Sequence, residues 1–245
     1  MGNLFFPQLA SGALVQYPVK RSKIVHTVSN QAEDGSVLTY FDPNGTVLTW
    51  QLSYSGITQQ EALALQSLFD ACAGRFRAFT FIDPLANLLM PQWQAGPGIQ
   101  AAGTVFTNTG NAPADISQTF SIPSGYVYCF SVAGDLAADP NATVTLIRRG
   151  PAAEERMTLP VASPLLVSSG ALADPGQTFT VAVELQAGQS IDLGRAQLEA
   201  QPAPSQFRAG DGGVYQSANW AVDELLLTAA GPDSFNTNFS IEVHV

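Results

Sequence analysis

The chain has 245 residues, enough to bury a sizeable core in one or two domains. It is 46% hydrophobic and 12% charged, with 21 glycines, 16 prolines and a net charge of −10, which suits a turn-rich β protein and excludes a disordered one. The acidic balance argues against nucleic-acid binding, because gripping a phosphate backbone takes clustered Lys and Arg, and Lys20-Arg21-Ser22-Lys23 is short and isolated.

From Val15 to Tyr54 the pattern predicts three strands. "KIVHTVSN" runs to a turn at Glu33-Asp34-Gly35, "SVLTYF" to a second turn at Asp42-Pro43-Asn44-Gly45, and "TVLTWQLSYS" follows, with Leu48, Trp50, Leu52 and Tyr54 toward the core. A helix is expected over about 58–73. Thr58 is its N-cap and Glu61 completes a capping box. Leu65, Leu68, Phe69 and Cys72 form its apolar stripe, and Gly74 stands at the C′ position. The strand "RFRAFTFID" follows directly and is closed by Asp83-Pro84, since proline cannot continue a central strand.

Between residues 87 and 208 helical periodicity disappears. Short β-like runs recur: "GTVFTNT", "ADISQTFSI", "YVYCFSVAG", "ATVTLIRRG", "FTVAVELQ" and "SIDLGRAQLEA". Such spacing implies a β-sandwich or jelly roll. Gly210 to Gly213 read as a flexible joint, and "ELLLTAA" and "FNTNFSIEV" as two last strands around a turn at Gly231-Pro232-Asp233.

No catalytic residue is identified. The histidines, His26 and His244, have no partner at metal-ligand spacing, so no metal and no cofactor are expected. No nucleophile elbow or phosphate loop is present. A glycosidase needs only two carboxylates brought together by folding, and Glu154, Glu155, Asp192, Glu199, Asp223 and Glu224 are the candidates, with Glu154-Glu155 read as an exposed turn. For glycan binding the available aromatics are Trp93, Phe106, Tyr126, Tyr128 and Phe130. Tyr126, Tyr128 and Phe130 share a face with Val132, a pattern that also suits a core. Cys72 and Cys129 read as buried free thiols. No secretory leader and no stretch approaching the ~20 apolar residues of a membrane helix is read, so no membrane insertion is expected.

Two resemblances cover nearly the whole chain. Trp50, Leu52, Tyr54, Glu61, Leu65, Leu68, Phe69, Gly74, Phe79, Phe81, Asp83 and Pro84 follow a pattern similar to that of small tail proteins of bacteriophages and gene-transfer-like particles. In the simpler members a second segment comes soon after the Asp-Pro. Here its counterpart, with Trp220, Asp223, Glu224, Leu225, Phe235 and Ile241, comes over a hundred residues later. "NLLMPQWQ" and a closing segment with Gln197, Leu198, Glu199, Pro204 and Phe207 resemble the two ends of a carbohydrate-binding-module-type jelly roll; Gln201 replaces the usual glycine, and Ser205-Gln206 the commoner Thr-Pro.

The resemblances imply a discontinuous β-barrel or sandwich domain over 1–86 and 209–245, carrying the helix, with a jelly roll inserted over 87–208. They imply a structural protein of a phage or phage-like tail tip or baseplate, assembled in the host cytoplasm. It would close into a ring with its own copies and dock to tail-tube, hub or other baseplate proteins. The jelly roll would project outward and bind host-surface polysaccharide through Trp93, Tyr126 and Tyr128. The alternative is a stand-alone glycan-binding module, and a glycoside hydrolase comes third.

Overall fold

The computed structural model describes residues 3–132, 143–160, 165–169, 176–210 and 212–245; the ends of the expected strands at 133–134 and 142 lie outside them. The described residues are mainly β with one α-helix. It divides into two compact units. The first comprises Met1–Leu9, Val15–Phe81 and Tyr215–Val245, the second Ala10–Leu14 and Ile82–Val214.

The first unit opens with β1 (Lys20–Gln31) and β2 (Val37–Ile57), an antiparallel pair around the turn at residues 32–36. The expected turn at Asp42-Pro43-Asn44-Gly45 does not reverse the chain. β2 runs straight through it, and the register slips instead, from Ile24↔Val47 to His26↔Asp42. Turn-forming residues here make a bulge because β1 continues alongside and keeps pairing beyond them.

Helix α1 (Gln59–Cys72) has the expected capping box. The Thr58 hydroxyl accepts from the Glu61 N–H at 3.3 Å, and the Glu61 carboxylate accepts from the Thr58 N–H at 2.8 Å. Its buried face is Ala62, Leu65, Leu68 and Cys72, while Phe69, half-buried, meets Trp220 edge-on. The helix ends at Ala73, and Gly74 stands at C′ as expected; both are left-handed, at φ 51° and 63°, and Gly74 opens a short 3-10 turn over Gly74–Phe76. The strand expected from Arg75 is therefore only β3, Phe79–Ile82, and all four of its residues are buried.

The unit is completed from the far end of the chain by β15 (Val214–Trp220), β16 (Leu227–Gly231) and β17 (Ser234–His244). Their sheet has the order β1-β2-β17-β15-β3, with β16 also on β17. β15 was not legible, because Gln216, Ser217 and Asn219 break its apolar pattern. Side chains from 50–54, 79–81 and 220–243 form one aromatic core: Trp50 lies 5.1 Å from Phe81, Tyr54 5.7 Å from Phe239, and Trp220 4.7 Å from Phe239. Asp223 accepts the Arg75 N–H at 2.8 Å and so caps the turn after the helix.

The second unit is a β-sandwich. One layer has the order β10-β9-β12-β7-β4, with β4 Gln94–Ala95, β7 Ala114–Phe120, β9 Thr143–Arg149, β10 Glu154–Pro160 and β12 Phe179–Leu185. Opposite it stand β11-β8-β14 (Leu165–Ser169, Tyr128–Val132, Ala196–Glu199) and β13-β6-β5 (Ser190–Asp192, Val105–Asn108, Ile99–Ala102). Ile116, Phe179, Val181, Val183 and Leu146 fill the space between layers, and the Tyr128 ring stacks on Phe179 at 4.3 Å. Glu154 and Glu155 lie at the start of β10, not in a turn: Arg149 faces Glu154 across the pair and closes an ion pair at 2.6 Å.

Candidate functional site

The opening and closing segments of the sandwich, read in the sequence as two separate motifs, form one hydrogen-bonded clasp. Asn87 is buried, and its side chain is saturated. Its Nδ2 donates to the carbonyls of Ala196 and Arg208, both at 3.0 Å; its Oδ1 accepts from the N–H groups of Leu89 at 3.1 Å and Leu198 at 3.0 Å. Gln118 grips the same segment from β7, accepting from the Met90 N–H and donating to the Met90 carbonyl. Gln197 accepts the Arg208 N–H at 2.8 Å. Glu199, also buried, accepts from Gln197 at 2.6 Å, Gln201 at 3.0 Å and the Ser205 N–H at 2.9 Å. Gln201 thus supplies a donor where the motif usually has glycine. A buried carboxylate with three donors is a structural group.

The glycines expected to form a joint are packed. A Cβ on Gly210 would stand 1.9 Å from the Leu89 carbonyl oxygen, and Gly213, at φ 58°, lies against Ala86 and accepts the Asp83 N–H at 2.8 Å. Gly210 is there for close backbone approach, not for flexibility. The buried Asp83 carboxylate also accepts the Leu85 N–H at 2.9 Å and turns the chain at Pro84.

A groove of about 310 Å³ opens beside this clasp. Its apolar lining includes Trp93 and Phe207, both half-buried, with Phe106 beneath, and Thr104 supplies a hydroxyl. The Arg195 guanidinium lies over the Phe207 ring at 5.5 Å. An apolar wall with a few convergent polar groups is the usual make-up of a ligand site. Of Trp93, Tyr126 and Tyr128, Trp93 lines this groove, and Phe106, another of the available aromatics, forms part of its wall. Phe207 and Thr104, which line the groove, were missed as binding residues. Phe207 was visible only as part of the closing motif, and nothing local marks Thr104.

Tyr128 is corrected. It is 1% exposed, its ring is stacked on Phe179, and its hydroxyl donates to the Pro123 carbonyl at 2.7 Å, so it presents no face to a sugar. Burial holds its phenol well above the ordinary tyrosine range. Phe130 is equally a core residue. Tyr126 is half-buried and does not line this groove; burial raises its phenol as well.

The other carboxylate candidates each have a local setting of their own. Asp192 accepts the Gly194 N–H at 2.8 Å, Glu199 is enclosed, Asp223 is a cap, and Glu224 is exposed. Sequence spacing missed a different pair, Asp115 on β7 and Glu184 on β12, which face each other across the ladder and line a second, open groove. Burial, and then Glu184, raise the Asp115 carboxyl above its ordinary value. Both carboxylates belong to an ion network with Arg149, Glu154 and Arg156, in which Arg156 donates to Glu184 and Arg149 lies 3.8 Å from Asp115. His26 lies in β1, its Nδ1 3.3 Å from Asp42, and His244 is exposed in β17. Among the described residues no group of three or more His, Cys, Asp or Glu could hold a metal ion, and no helix is long and apolar enough to cross a membrane.

No protein-family model matches the chain, and no curated protein matches it. Among solved structures, TmCBM61 in complex with beta-1,4-galactotriose is similar over 46% of this chain and 97% of its own, with 13% identity and a TM-score of 0.29. At that score the likeness carries no argument about the fold or ligand of this chain.

Proposed function

We propose that the sandwich unit is a non-catalytic glycan-binding module whose site is the groove at the clasp. The observation that carries the reading is the pairing there of a half-buried tryptophan, Trp93, with the Phe207–Arg195 stack. A pyranose has one face of C–H groups and a rim of hydroxyls. An indole takes the first, and the Thr104 hydroxyl takes part of the second. The clasp holds both walls: Asn87 ties the backbone at Arg208, next to Phe207, to the segment leading to Trp93, and Gln197 ties it to β14. Titration calorimetry with a panel of oligosaccharides, β-1,4-galactotriose among the probes, tests this. Trp93→Ala should weaken binding at least about tenfold, a loss of about 1.4 kcal/mol, with the melting temperature unchanged. Absence of binding to every oligosaccharide at millimolar concentration defeats the reading.

A second reading is a structural protein of a phage or phage-like tail tip or baseplate, located in the virion tail. Its support is that residues of the tail-protein motif distant in sequence, Trp50, Phe79 and Phe81 on one side and Trp220 on the other, share one core in the first unit. Detection of the chain in purified particles, by mass spectrometry and antibody labelling at the tail tip, tests it. Particles that lack the chain count against it.

A further inference from the structure

We infer that the groove at the clasp selects a neutral 6-deoxyhexose, a pyranose whose C6 is a methyl group, over the hexose and uronic acid of the same stereochemistry, which rests on the glycan-binding reading of that groove. Leu89, Met90, Pro91 and Leu193 extend the apolar wall that Trp93, Phe106 and Phe207 begin, and none of the lining residues has an ionisable side chain. The Asn87 amide is part of the lining, yet its two N–H bonds and its oxygen are taken by backbone groups of the clasp. That leaves the Thr104 hydroxyl and the Trp93 indole N–H as the side-chain groups that can meet a sugar oxygen.

A hexopyranose carries hydroxyls all round its rim. Those that point out of the groove stay hydrated, but each one turned to an apolar wall loses its bonds to water without replacement. With so few partners on the wall, the sugar that loses least presents a substituent that needs none. Exchanging the hydroxymethyl group for a methyl group removes the exocyclic hydroxyl and offers the wall an apolar contact. Met90 suits that contact. Gln118 fixes its backbone, accepting its N–H at 2.8 Å and donating to its carbonyl at 2.7 Å, while its side chain is 46% exposed at the groove. A thioether adapts its shape to a methyl group and is only a weak acceptor. An N-acetyl sugar also brings a methyl group, but its amide adds a donor and an acceptor that need partners of their own.

Charge disfavours the acidic sugars. The chain has a net charge of −10, which repels a carboxylate on approach. Arg195 and Arg208 neighbour lining residues in sequence, but both guanidinium groups are engaged elsewhere: that of Arg195 lies over the Phe207 ring, and that of Arg208 donates to the Leu85 carbonyl. Neither residue lines the groove. A uronate seated against this wall would therefore give up water without gaining a cation.

The test uses the methyl glycosides of D-fucose, D-galactose and D-galacturonate, which differ only at C6: methyl, hydroxymethyl and carboxylate. L-rhamnose against L-mannose is a second pair, and N-acetylgalactosamine a further arm. Each is titrated at millimolar concentration against the full chain by saturation-transfer NMR. In at least one pair the deoxy sugar should bind at least about tenfold tighter than its hydroxymethyl counterpart, the uronate should bind weakest, and the C6 methyl protons should receive the strongest saturation. Met90→Gln puts an amide on the wall at an exposed position, where melting temperature should not change. It should cut the preference to about twofold or less, while Met90→Leu keeps it. Absence of binding to every sugar of the series and to every oligosaccharide defeats the glycan-binding reading and this inference with it. Binding confined to glycans without a deoxy sugar, equal affinity across the series, or tightest binding of the uronate or the N-acetyl sugar overturns this inference alone. So does a preference that Met90→Gln leaves unchanged.

Discussion

Replacing Asn87 by alanine should be among the most damaging single changes in the sandwich unit. The side chain is 2% exposed and makes four hydrogen bonds, two as donor and two as acceptor. Alanine removes them all and leaves the Leu89 and Leu198 N–H groups and the Ala196 and Arg208 carbonyls without that partner. An uncompensated buried polar group costs about 1–3 kcal/mol. The carbonyls keep a second lone pair and Arg208 is near solvent, so these two groups cost little and the two N–H groups carry the loss, about 3–4 kcal/mol together. Against a typical stability of about 5–15 kcal/mol this is a large fraction. Urea unfolding of the full chain, followed by circular dichroism, measures it. With a slope of about 2 kcal/mol/M, the transition of this unit should move down by about 1.5–2 M while its slope stays the same. Asn111→Ala, at an exposed position, is the control and should leave the midpoint in place. A loss below about 1 kcal/mol would refute the reasoning, since water or neighbouring groups would then be satisfying the same atoms.

The same packing has further measurable consequences. Gly210→Ala should cost about 1–3 kcal/mol, because its methyl group meets the Leu89 carbonyl and the backbone must shift; an unchanged melting temperature would show that this crossing has room for a methyl group. Both thiols are buried and raised above their ordinary range, Cys129 to about 11, so Ellman's reagent at pH 8 should find no reactive thiol in the native protein and two after unfolding. The folded chain keeps the Cys129 proton from the ordinary value of 9.0 up to about 11 while the unfolded chain loses it, so stability should fall as pH rises through that window. Cys129 contributes about 2–3 kcal/mol to this, and Tyr54, Tyr126 and Tyr128, raised by burial, act in the same direction above pH 10. Cys129→Ala should flatten the fall, and a stability that holds or rises from pH 9 to 11 would contradict the burial argument.

Local rules served well where the deciding interaction is itself local. Thr58 and Glu61 specify the helix start because the capping box closes within four residues, and the alternation of Leu48, Trp50, Leu52 and Tyr54 gives the buried face of β2 because pleating repeats every two residues. The same rules failed at Asp42–Gly45, where turn chemistry yielded to a neighbouring strand, and at Glu154–Glu155, which read as a turn until Arg149 came into register opposite.

The candidate site divides in the same way. Trp93 could be singled out as an aromatic near the start of the module, but Tyr128 shared that composition and proved to be core, because which side of β8 meets β12 is set by sheet packing. By itself the sequence determined a β-rich chain with one capped helix and motifs at the two ends of an internal segment, since these rest on residue type and short-range spacing. Only the tertiary structure decided that Asn87, Gln197 and Glu199 close those ends into a clasp and that Phe207 and Thr104 come to the Trp93 groove. These are contacts between residues remote in sequence, and no local pattern encodes which distant backbone a buried amide will meet.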